Sequence, residues 1–104
     1  AVIADHAPPR YFHVVFNNGV HDSVGGQPTS INRVDIPAAA RALGYRYAER
    51  ASSLTALPDA VATLRRHGGP SLLELPVRPG HRSDLGRPTR TPAQSKQNFM
   101  SALA

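Results

Sequence analysis

The sequence predicts a small α/β domain of three layers, a parallel sheet flanked by helices, and three observations predict it. Short runs rich in β-branched, aromatic and leucine residues alternate with helical patterns. The connections between those runs are long enough for crossovers between parallel strands. Ten prolines and eight glycines collect at the boundaries of the runs and so punctuate the chain. With 104 residues, 40% of them hydrophobic, a single domain over residues 1–104 is expected.

Ala1 to His6 reads as the end of a helix stopped by Pro8-Pro9, and Tyr11 to Phe16 as a buried strand. Asn17-Asn18-Gly19 is a turn signal, and the stretch from there to Arg33 has no periodicity, which predicts a long loop. Asp35 can cap the free N–H groups of a helix over Ile36 to Gly44, with Pro37 near its start and Gly44 in the left-handed closing position. Tyr45 to Ala51 reads as a second strand with Tyr45, Tyr47 and Glu49 on one side. A second helix opens at Leu57 or Pro58 and runs to Gly68-Gly69, and Ser71 to Val77 is a third strand. Residues 79–91 form a basic loop or arm, after which Thr91-Pro92 caps a last helix whose Phe99, Met100 and Leu103 share a face.

Composition removes several classes of function. Without cysteine there are no disulfides and no thiolate metal sites, and His6, His13, His67 and His81 lack the spacing of a zinc site. No apolar stretch approaches the roughly 20 residues of a spanning helix, and the N-terminus lacks the basic and apolar blocks of a signal peptide. A cytoplasmic protein without membrane contact is expected. The net charge of +5 invites an anionic partner, nucleic acid or small molecule. The arginines are scattered and have few aromatics among them, a weak footprint for nucleic acid.

Ligands of open α/β sheets bind beyond the carboxyl ends of the strands, which points to the loop from Asn17 to Thr29. Asn18 offers a neutral carboxamide oxygen and the bent backbone offers carbonyls, a set that suits a hard cation such as Mg²⁺ bridging to a diphosphate. Gly25 and Gly26 let backbone N–H groups approach a ligand, and His21 and Asp22 place a titratable pair at the same mouth. Asp22 and Ser23 can bind a ligand or tie down their own loop, and Gln27 can reach either a diphosphate or its own turn.

The strand His13 to Phe16 running into Asn17-Asn18 resembles the second half of the thiamine diphosphate motif, which begins with Gly-Asp-Gly on an earlier strand. The longer string Asn17 to Thr29, with Ile36 to Tyr45, Pro70 to Val77 and Arg78 to Pro88, resembles thiamine-diphosphate-dependent 2-oxo acid decarboxylases of the phosphonopyruvate decarboxylase type. The similar sulfopyruvate decarboxylases fit less well. The resemblance covers most of the chain and corresponds to the C-terminal half of a diphosphate-binding domain.

The resemblance implies Mg²⁺ ligation by the Asn18 side chain and the Val20 carbonyl. Cofactor contacts are expected from Asn18, Gly19, Asp22, Ser23, Gly25, Gly26 and Gln27, and a catalytic or orienting role from His21. The resemblance further implies decarboxylation of phosphonopyruvate to phosphonoacetaldehyde, the cofactor's thiazolium ring taking the electrons released as CO2 leaves. Arg82 and Arg87 are the candidates for binding an anionic 2-oxo acid. The Gly-Asp-Gly aspartate and the cofactor-activating glutamate of such enzymes have no counterpart here, so the isolated chain is expected to be inactive without the missing N-terminal domains or a companion chain. A homo-oligomer is expected, because these enzymes place the cofactor between subunits. Two readings compete: a basic binding module, and an assembly role through an exposed sheet edge.

Overall fold

The computed structural model describes residues 2–51 and 53–103. In chain order it forms α1 (Val2–His6), β1 (Phe12–Asn17), β2 (Val20–His21), β3 (Gln27–Pro28), α2 (Ile36–Ala42), β4 (Tyr47–Arg50), α3 (Leu57–His67), β5 (Ser71–Pro76) and α4 (Pro92–Ala102). Single 3-10 turns occupy Asp22–Val24 and Ser30–Arg33. The main sheet is parallel, in the order β1-β5-β4. From β1 the chain steps two places across the sheet to β4 and then back one place to β5. Right-handed crossovers therefore put α2 and α3 on opposite faces, and the domain has the expected three layers.

The core sits on β5. Leu72 packs with Ala40 of α2 and Ala48 of β4, and Val15, Ile36 and Tyr45 close around them. The small side chains at 40 and 48 let the helix come close to the sheet. Its neighbour Leu73 points to the other face by strand alternation and is fully buried there, on the side that α3 covers with its buried Leu64.

The helix ends follow their sequence signals. Asp35 Oδ1 accepts from the Ala38 N–H at 3.0 Å at the start of α2. Gly44, at φ 95°, reverses the chain after it. Thr91 and Gln94 form a reciprocal capping box on α4.

Four expectations need correction. β1 is not a buried strand: Phe12, Val14 and Phe16 are exposed, Phe16 at 71%, because β1 lies at the edge of the sheet and pairs only with β5. The loop after β1 contains the antiparallel pair β2-β3. Tyr45 precedes β4 and packs with Ala48 in the core cluster, whereas Tyr47 and Glu49 share the opposite side and hydrogen-bond to each other. The helix expected over Ile36 to Gly44 stops at Ala42, with Leu43 as its cap. Ala1, the expected first residue of α1, lies outside the described residues.

From Pro76 to Leu103 every residue is exposed, including Phe99 and Met100 of α4. Among the described residues no helix is long and apolar enough to cross a membrane.

Candidate functional site

β1 ends in a turn closed by two side-chain to backbone hydrogen bonds. Asn17 Oδ1 accepts from the Gly19 N–H at 3.0 Å, and Asn18 Oδ1 accepts from the Val20 N–H at 3.2 Å. These are successive Asx turns, the habit of asparagine that competes with regular structure. Gly19 has φ 69°, and a Cβ there would stand 2.9 Å from Asn32 Oδ1, so both conformation and space require glycine.

The hairpin that follows directs the Val20 carbonyl. Thr29 N–H donates to the Gly19 carbonyl at 2.9 Å and Gly26 N–H donates to the His21 carbonyl at 3.0 Å. Val20 lies between them opposite Pro28, in a non-hydrogen-bonded rank, so its C=O points away from β3. Proline is tolerated at 28 for the same reason, since an N–H there would point away from β2 and the pairing loses nothing.

Asn18, Gly19 and Val20 line a cavity of about 450 Å³ together with Asn17, Arg50 and Glu74. Beneath it, Glu74 is fully buried in β5 and divides its two oxygens between the flanking strands. Its Oε1 accepts from Asn17 Nδ2 at 2.8 Å and its Oε2 accepts from Arg50 Nε at 2.7 Å. That hydrogen bond and the carboxylate's charge raise the Arg50 guanidinium above its ordinary value, so it stays charged at any working pH. The donor set at the mouth is all oxygen, one carboxamide and one carbonyl, and each of these oxygens has a lone pair left for a cation. It fits two sites of a Mg²⁺ shell.

A second, larger cavity of about 740 Å³ is lined by Asp22, Ser23, His81, Arg82 and Arg87, among others. The basic arm reaches it because Gly80 N–H donates to Asp22 Oδ2 at 2.8 Å across the chain. Arg82 and Arg87 are thus brought to the same mouth as Asp22 and Ser23. Arg82 faces Asp84 at 3.3 Å in a largely exposed pair, which is too weak to hold it from an incoming anion.

The structure does not gather all the expected residues in one place. His21 is exposed on β2 and lines neither cavity. Gly25 and Gly26, at φ 116° and 72°, close the hairpin, and the Gln27 carboxamide lies back over Gly25. Sequence reasoning passed over Glu74, Arg50 and Asn32. The available signal was Glu74 itself, a lone carboxylate in the run Leu72-Leu73-Glu74-Leu75.

No protein-family model matches the chain. Over 99 residues the chain is 48% identical to a phosphonopyruvate decarboxylase of Streptomyces viridochromogenes, and 44% identical to a phosphonopyruvate decarboxylase of Streptomyces hygroscopicus. Each match covers 95% of this chain and 25% of the relative, so the chain spans about a quarter of the length of these proteins. Along nearly its whole length, this chain is similar to a quarter-length section of phosphonopyruvate decarboxylases.

Proposed function

We propose that the chain is the C-terminal part of a thiamine-diphosphate- and Mg²⁺-dependent decarboxylase that converts phosphonopyruvate to phosphonoacetaldehyde and CO2. The observation that carries this reading is the pair of oxygen donors, Asn18 Oδ1 and the Val20 carbonyl, fixed at the carboxyl end of β1 on an open cavity. Asn18 and Val20 would hold the cation, and the turn Gly19 to Gln27 would face the cofactor's diphosphate. When bound, the cofactor supplies the electron sink for loss of CO2.

The chain's own residues do the binding and orienting. Gly19 allows the left-handed turn that sets Asn18 and Val20 side by side. Asp22 anchors the arm, and the arm brings Arg82 and Arg87 to a mouth where a substrate with a carboxylate and a phosphonate is attracted. His21, exposed and next along the chain to Asp22, is available to orient substrate or move a proton once the rest of the protein encloses it. A homo-oligomer belongs to the same reading, supported by the bare apolar face of Phe12, Val14 and Phe16. Sedimentation as a monomer at high concentration would remove the oligomer.

Calorimetric titration with thiamine diphosphate and Mg²⁺ tests the assignment, on the chain alone and on the chain with a supplied portion bearing Gly-Asp-Gly. Binding only in the combined sample, lost in Asn18→Ala, is the expected result. No binding in a folded combined sample overturns it. Affinity for nucleic acid that falls steeply with salt and ignores Mg²⁺ would favour a basic binding module instead.

A further inference from the structure

We propose that Glu74 is a positioning residue for the cation-binding turn, acting through Asn17, with Arg50 as its counter-ion. This rests on the reading of Asn18 and Val20 as cation donors and adds a residue 57 positions along the chain from Asn17.

Glu74 stands in an otherwise apolar stretch of the central strand and is fully buried. A carboxylate there is strongly unfavourable unless paired and hydrogen-bonded, and an apolar residue of similar volume would serve a purely structural purpose as well or better. Both compensating partners sit at the cavity: Asn17 at 2.8 Å and Arg50 at 2.7 Å. Arg50, half exposed, balances the charge and leaves the other oxygen to Asn17.

The chemistry of that second contact decides the orientation of the turn. An ionised carboxylate only accepts hydrogen bonds, whereas a carboxamide has a donating and an accepting end. Against Glu74, Asn17 can present only its NH2 group. Its oxygen is thereby turned toward the Gly19 N–H, which it accepts at 3.0 Å. That bond closes the Asx turn from which Asn18 Oδ1 and the Val20 carbonyl project.

Glutamine at position 74 removes the selection. Its single oxygen can serve only one of Asn17 and Arg50, and with that oxygen on Arg50 its NH2 group faces Asn17 and favours the flipped carboxamide, whose oxygen then leaves the Gly19 N–H. Partners of this kind, which orient a metal ligand without touching the metal, typically carry ten- to a hundredfold in affinity, roughly.

The test uses the protein together with the portion bearing Gly-Asp-Gly, with Mn²⁺ as the probe, titrated in the presence of thiamine diphosphate and read by electron paramagnetic resonance. Exchange of the Gly19 amide proton is followed in parallel without metal. In Glu74→Gln, Mn²⁺ affinity falls by about tenfold or more and the Gly19 amide exchanges faster. Asn17→Ala does the same, and the double variant is no worse than either single one. Leu64→Ala, destabilised through the core on the far face, keeps its Mn²⁺ affinity within about twofold.

A folded Glu74→Gln with unchanged affinity overturns the proposal. Should Glu74→Gln not fold, Asn17→Ala decides alone, and unchanged affinity there is equally fatal. Asn18→Ala separates the two levels of the argument. Loss of Mn²⁺ in Asn18→Ala with none in Glu74→Gln removes only the positioning role. Failure of the unaltered protein to bind Mn²⁺ removes the cation site and the positioning role together.

Discussion

β1 and β5 are both six-residue strands, parallel and paired residue for residue from Phe12↔Ser71 to Asn17↔Pro76, yet they live in different surroundings. β5 has a strand on each side and a helix over each face, and Ser71 to Glu74 are buried. β1 has a strand on one side only and shows Phe12, Val14 and Phe16 to solvent. The central strand carries the packing, and the edge strand carries the double asparagine turn at its end. Glu74 is where the two meet, since the buried strand reaches through it to the side chain that closes the exposed strand's turn.

The contrast can be broken most directly at one register rank, where Val14 faces Leu73. Leu73→Ala deletes a fully buried side chain and is expected to cost about 2–5 kcal/mol in urea unfolding. Asp35→Ala removes the cap of the helix that covers Leu72, with an expected loss of about 1 kcal/mol by the same measurement. Val14→Ala, one strand away from Leu73, is expected to cost below about 1 kcal/mol in this chain. If its cost rises toward that of Leu73→Ala once the proposed N-terminal portion is supplied, the bare face of β1 is a face that portion covers.

The smallest effect is in the alkaline range. Burial first, and then the nearby Tyr11, raise the Tyr45 hydroxyl above its ordinary 10.0. The folded state therefore holds that proton to higher pH than the unfolded chain does. Its contribution to stability is whole below the ordinary value and is lost as pH rises through the raised one. Tyr45→Phe is expected to flatten the fall in stability above about pH 10, read as denaturation midpoints across that range.

Much of this was written locally. Asp35 before Ile36-Pro37, Gly68 after His67, and Thr91 three residues before Gln94 each announce a helix end through groups within a few residues of one another. The turn at Asn17-Asn18-Gly19 was legible for the same reason. Two-residue strands such as β2 and β3 have too few residues for an alternating pattern, and Pro28 argues against a strand when read alone. The exposure of β1 depends on what packs beside it, which no window along Tyr11 to Phe16 contains. Glu74 could be recognised as out of place among leucines, but its partners lie 24 and 57 residues away and only the parallel register brings them together.

The outward-facing carbonyl of Val20 has a genetic consequence. As a proposed cation donor it is backbone, present whatever side chain stands at position 20, so among residues that keep the N–H bound by Asn18 a scan of side chains would pass over Val20 as tolerant. What can be lost is its aim, and that is encoded elsewhere, in the backbone bonds on either side of it and in the glycines that close the hairpin. Sensitivity to mutation in this loop therefore maps the residues that point the carbonyl, while the atom they point stays invisible to substitution.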